Sequence, residues 1–154
     1  MSGNTTANIR LLKPEDLERV VDIDTRITGR SRRKFFEKSL EAALTDTHGF
    51  ITMGLDGSSG ELAGFAIARI HEGEYGVDKR AAVLDVIGVD PDAQHAGAGQ
   101  ALLDGITDTL RKLKITEMRT QVDWQNQRMA KFFASAGFEM APEQVLERSV
   151  SRNL

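Results

Sequence analysis

One stretch limits what this chain can fold into more than any other: residues 81–113, AAVLDVIGVDPDAQHAGAGQALLDGITDTLRKL. It opens with an apolar run, Val83, Leu84, Val86, Ile87 and Val89, whose length and β-branched content predict a largely buried strand. Asp90-Pro91 breaks the run. Then come the glycine loop QHAGAG, Gln94 to Gly99, and apolar residues at Leu102, Leu103, Ile106, Leu110 and Leu113, spaced as the inner face of a helix. A helix N-terminus carries unpaired backbone N–H groups and a partial positive charge, and glycines let an anion approach them closely. Strand, glycine loop and helix in direct succession therefore suit a phosphate. Neither GxxxxGK[ST] nor a full GxGxxG with an acid on a second strand is present.

At 154 residues and 40% apolar content the chain is expected to form one domain, 1–154, with residues 1–8 as a loose tail. Ile9, Leu11 and Leu12 predict a short strand, and Pro14 with Glu15 and Asp16 a helix start. In that helix Leu17, Val20, Val21 and Ile27 form the apolar stripe, with Asp24 on it, pointing inward or into a cleft. A second helix starts near Ser31, with Phe36, Leu40, Ala43 and Leu44 inward and Arg33 on the same face. GFITMGL and ELAGFAIARI read as strands joined by the turn DGSSG, feeding the strand at 81–89 in an antiparallel meander. Residues 117–123 alternate as a strand, Asn126 to Ala136 form a helix stopped by Gly137, and 145–150 read as a final hairpin or edge strand. The fold class is α+β: a mixed, mostly antiparallel central sheet of six or seven strands with helices on both faces.

Twenty basic against 23 acidic residues, net −3, speak against a nucleic-acid surface. With no cysteine, any thiol in the chemistry must come from a ligand. The N-terminus is polar and no apolar run approaches the ~20 residues of a membrane span, so a cytoplasmic protein is expected. His48, His71 and His95 lack metal-ligand spacing, so no metal is expected, and no Ser-His-Asp or paired-carboxylate arrangement suggests hydrolysis.

QHAGAG matches the Q/RxxGxG/A signature of the GNAT N-acetyltransferases, NQRMAKFFASAGF resembles their Asn-containing motif, and the order of elements agrees with theirs. The resemblance implies acetyl-CoA as cofactor. Its pyrophosphate would sit on the loop formed by Gln94, His95, Ala96, Gly97, Ala98, Gly99 and Gln100. Its pantetheine arm would pair with the backbone of Ile87 and Val89 on a bulged strand, where Gly88 suits a close approach. Asn126 would touch the cofactor, although alone it would be an N-cap. Phe133 stands where many members carry the tyrosine that protonates the leaving thiolate, and a phenyl ring cannot do so. The one tyrosine, Tyr75, lies in the connection before the opening strand.

Transfer to an amine requires a neutral nucleophile and hence a place for its proton. Asp85, which interrupts an apolar run, is the candidate base; a plain ion pair with an arginine is the rival reading, and His71 is a second candidate. For the acceptor, Arg30, Arg32, Arg33 and Lys34 form a basic cluster that could bind a carboxylate or an acidic peptide, and Asp22 and Asp24 could receive an amine. Alternatively Asp24 and Arg33 pair across the two helices. The expected activity is acetyl-CoA-dependent N-acetyl transfer to a primary amine of a small molecule, a protein lysine or an N-terminus. A non-catalytic CoA-binding sensor and a nucleotide-binding adaptor are the alternatives. Neither a nucleic acid nor a membrane is an expected partner; the sequence does not fix the oligomeric state, and a homodimer through the 145–150 edge is what the resemblance allows.

Overall fold

The computed structural model describes residues 8–72, 79–94 and 97–151. They fall into two compact units, 1–121 and 122–154, each taken by itself. In the first, β1 (Ile9–Arg10) leads through a short 3-10 turn at Pro14–Asp16 into α1 (Leu17–Thr28) and α2 (Arg33–Thr45). Then come β2 (Phe50–Asp56), β3 (Leu62–Glu72), β4 (Arg80–Val89), α3 (Ala98–Lys112) and β5 (Met118–Thr120). The strands form one sheet in chain order, antiparallel from β1 to β4, with β5 parallel to β4. The β2–β3 turn is closed by Gly57 N–H donating to Glu61 O at 2.8 Å, with Gly60 at φ +84°.

Strand alternation decides which helix covers which face. A Cβ on Gly64 would point at Leu102 of α3, whereas the next residue, Phe65, packs edge-on against Phe36 of α2 at 5.6 Å. One face thus meets α3 and the other α1 and α2. The core on the α1/α2 side is Val20, Val21 and Ile23 with Phe36, Leu40, Ala43, Phe65 and Ile67. The expected stripe of α1 is shifted: Ile23 is fully enclosed and Ile27 is 45% exposed.

Two expectations need correction. The sheet has five strands among the described residues, not six or seven, because residues 139–150 form no strand. Adjacent Val145 and Leu146 would point to opposite sides of any strand, and both are exposed, as are Met140 and Val150, so the segment has no single apolar face to bury. The second unit does contain the expected helix, α4 (Gln127–Ser135). Gly137, φ +94°, donates to Ala134 O, and Phe138 N–H donates to Phe133 O at 3.0 Å, a left-handed C-terminal cap sealed by ring contact between Phe133 and Phe138. Among the described residues no helix is long and apolar enough to cross a membrane, and no acidic or histidine cluster could hold a metal ion.

Candidate active site

The site begins with a fault in β4. Ile67 pairs with Val86 but the next residue, Ala68, pairs with Leu84, so Asp85 is an extra residue on β4, a β-bulge. Pairing to β5 ends at the same point, with Leu84 opposite Thr120, whose hydroxyl donates to Leu84 O at 3.0 Å. Beyond Leu84 no strand pairs with that edge of β4 among the described residues. Asp90 N–H turns toward β3, donating to Ala63 O at 2.7 Å, whereas Val89 O turns outward and accepts from Gln94 Nε2 at 3.1 Å. By alternation the backbone of Ile87 shares that outward edge with Val89. Gly88, between them, faces the covered side: a Cβ there would lie 2.9 Å from the Phe65 ring.

The edge runs into the glycine loop. Gly97 precedes α3 in a left-handed conformation, φ +102°, and as glycine brings no side-chain cap to the helix. The first intrahelical bond is Ala101 N–H to Gly97 O at 2.8 Å, which leaves the amides of Ala98, Gly99 and Gln100 without intrahelical acceptors. The Gln100 side chain turns to Asp104, at 2.9 Å. His95 and Ala96 lie outside the described residues, as does Tyr75.

On the α2 face a cavity of about 440 Å³ adjoins the bulge. Phe35, Lys38, Ser39 and Ala42 of α2 form one wall, a stripe at i, i+3, i+4 and i+7 beside the core stripe of Phe36, Leu40 and Ala43. Small Ser39 and Ala42 leave the space. Phe50, Ile67, Arg69 and Asp85 supply the sheet side. Asp85 Oδ2 accepts from Arg69 Nε at 2.5 Å, and Oδ1 has no hydrogen bond among the described residues. Arg69 Nη1 lies 2.7 Å from His71 Nε2; a guanidinium has only donors, so Nε2 accepts and the ring proton sits on Nδ1. Sequence reasoning found Asp85 and His71 but missed Arg69 and the α2 stripe. The available signal was Ile67, Arg69 and His71 alternating along one strand face.

The outward strand edge and the glycine loop before a helix are the parts the sequence motifs imply, the cavity at Asp85 is an addition of the structure, and comparison with known proteins decides the lineage. The model of the acetyltransferase (GNAT) family matches residues 15–138. The chain belongs to the GNAT acetyltransferase family. It is 31% identical over 103 residues to a mycothiol acetyltransferase of Thermobifida fusca (strain YX), a match covering 66% of this chain and 32% of that protein, so it spans about a third of that relative's length. In fold it is similar to a ribosomal-protein-alanine N-acetyltransferase of Brucella melitensis biovar Abortus 2308, with a TM-score of 0.73, 19% identity, and coverage of 92% of this chain and 99% of that one. An aminoglycoside antibiotic 6'-N-acetyltransferase of Acinetobacter haemolyticus superimposes with a TM-score of 0.77 at 16% identity, covering 95% and 99% of the two chains.

Within this GNAT chain the bulged strand is tied to α1 by a charge network. Buried Asp90 accepts from Arg19, from Arg26 at 2.7 Å and from Asp92 N–H at 2.9 Å; Arg26 also reaches Asp92 at 2.6 Å, and Arg19 donates to Leu62 O at 2.7 Å. Burial pushes the Asp90 carboxyl up, but the Asp92 N–H and the two guanidiniums more than offset this and hold it below its ordinary value of 3.8. A carboxyl lowered in the folded state contributes stability that is complete above its unfolded value and is lost as pH falls through the folded one. We expect Asp90→Ala to cost about 1–2 kcal/mol at neutral pH, because the Asp92 N–H loses its cap and part-buried Arg19 loses one acceptor, while Arg19 keeps Asp22 and Glu61 and exposed Arg26 keeps Asp92. Below about pH 4 the wild type should lose stability more steeply than the variant, as denaturant titrations at several pH values would show.

The other candidates are placed differently from one another. Asp24 is buried and its partner is Arg32, at 2.6 and 2.9 Å, not Arg33 as in the alternative reading; Arg32 precedes α2 and lies over the rings of Phe35 and Phe36. Arg33, one residue on, turns outward and pairs with Glu18 at 2.5 Å. Arg30 is exposed in the loop between the helices. In the second unit Asn126 caps α4, accepting from Met129 N–H at 3.1 Å, and Phe133 is buried against Phe132 and Phe138.

Proposed function

We propose that this chain is an acetyl-CoA-dependent N-acetyltransferase that passes the acetyl group directly to a primary amine, on a small molecule or on a protein lysine or N-terminus. What carries the reading is the coincidence at residues 84–89: the bulge at Asp85, the end of β5 pairing and the outward edge of Ile87 and Val89 fall together and lead into the glycine loop. The amides of Ala98, Gly99 and Gln100 fit a pyrophosphate, since the helix offers them no acceptor and Gly97 carries no side chain to shield them. The edge of Ile87 and Val89 fits an extended amide-bearing arm, which it would hold as an added strand.

Held there, acetyl-CoA would supply the acetyl thioester. The amine enters the cavity under α2, and Asp85 Oδ1 takes the ammonium proton, directly or through one water, so that the nitrogen attacks as a neutral amine. The Arg69 bond on Oδ2 keeps the carboxylate oriented meanwhile. Solvent returns the proton to the leaving thiolate, as Phe133 cannot. A pocket adjoining the acid favours transfer over a CoA sensor, which needs the loop and the edge but no acceptor site.

The cofactor assignment is tested by calorimetry and thermal unfolding with acetyl-CoA, CoA, ATP and NAD. Acetyl-CoA and CoA should bind and, at a hundredfold excess over Kd, add about 2.7 kcal/mol and several degrees of Tm. Absence of a shift with both CoA forms would overturn it.

A further inference from the structure

We infer that the acceptor amine carries an anionic group, carboxylate or phosphate, which Lys38 recognises across the cavity from Asp85. The inference rests on the transferase reading and adds the substrate class. The cavity is lined by two cations, Lys38 and Arg69, and one anion, Asp85. Arg69 is already engaged with Asp85, whereas Lys38 makes no ion pair or side-chain hydrogen bond among the described residues. The neighbouring cations of the basic cluster divide the same way. Arg32 and Arg33 are held by Asp24 and Glu18, while Lys34, one turn before Lys38, makes no ion pair among the described residues.

Apart from Ser39, the rest of the lining is apolar: Phe35, Ala42, Phe50 and Ile67. A ligand filling about 440 Å³ here would place its ammonium at Oδ1 of Asp85, an apolar body on the rings, and an anion at the Lys38 ammonium. A polyamine would set a second positive charge against Lys38 instead, a like-charge contact that costs affinity.

Amine-dependent thiol release from acetyl-CoA should be followed with three matched acceptors: para-(aminomethyl)benzoate, its phosphonate counterpart and its neutral carboxamide. The anionic pair should be used with about tenfold lower KM than the carboxamide, and whichever of the two is better names the group. Lys38→Met, an exposed substitution by a good helix former, should remove that preference by raising KM for the anionic acceptors while kcat and the carboxamide values hold; Lys38→Arg should restore it. Equal use of the carboxamide, or a preference that survives Lys38→Met, would overturn the inference and leave the transferase reading standing. Acetyl-CoA binding without turnover of any amine would sink both.

Discussion

Asp85→Asn is expected to lower kcat for amine acetylation by about 10²-fold or more at pH 7, with acetyl-CoA affinity unchanged. Asparagine keeps the size of the side chain and can still accept from Arg69 through its carbonyl oxygen, so the bulge and the cavity should persist. Only the lone pair that takes the proton is lost. Because the Asp85–Arg69 pair is partly solvated, with 26% and 40% of the two side chains exposed, the variant should stay within about 1 kcal/mol of wild-type stability. Steady-state kinetics across pH 6 to 9 should show a variant rate that climbs toward alkaline pH, where the free amine becomes abundant. Full turnover of the variant throughout would remove Asp85 from the chemistry and leave it as a partner of Arg69.

The second large effect belongs to Gly97. Its backbone, at φ +102°, costs a side-chain-bearing residue about 1–2 kcal/mol, and a β-branched one more. A Cβ would meet nothing within 4 Å, so the damage would come through the backbone and not through a collision. Gly97→Val should therefore relax the turn, tilt the first amides of α3 and weaken acetyl-CoA binding by tenfold or more. Gly97→Asn should fall between, since asparagine tolerates the left-handed region better. Calorimetry across the series should rank glycine above asparagine above valine, with the loss in Kd and little in kcat. Valine binding acetyl-CoA as wild type does would show that the loop is not the phosphate site.

The stretch at 81–113 was legible because each part states its conformation locally: β-branched residues for the strand, Asp90-Pro91 for the break, glycines for the loop, and a stripe for the helix. Gly137 was legible for the same reason. What could not be read depended on pairing. The bulge that turns Asp85 into the α2 cavity follows from the register of β3 against β4, which no pattern of apolar residues records. Asp90 read as a strand breaker, whereas its burial between Arg19 and Arg26 requires α1 to lie across the end of β4. Arg32 and Arg33 differ by one position, and only the observed start of α2 decides that the first turns back to Asp24 and the second outward to Glu18. The Lys38 stripe was hidden beside the stronger core stripe, one residue away. At 139–150 the apolar content suggested a strand, but a strand also needs one face to bury, and Val145-Leu146 divides it.

The account stands most directly on transfer itself. Incubation of the protein with acetyl-CoA carrying a labelled acetyl group and para-(aminomethyl)benzoate, followed by mass spectrometry, should place the label on the amine nitrogen in step with thiol release, and Asp85→Asn should suppress both together. Thiol release without labelled amine, or labelled amine formed equally fast without the protein, would contradict it.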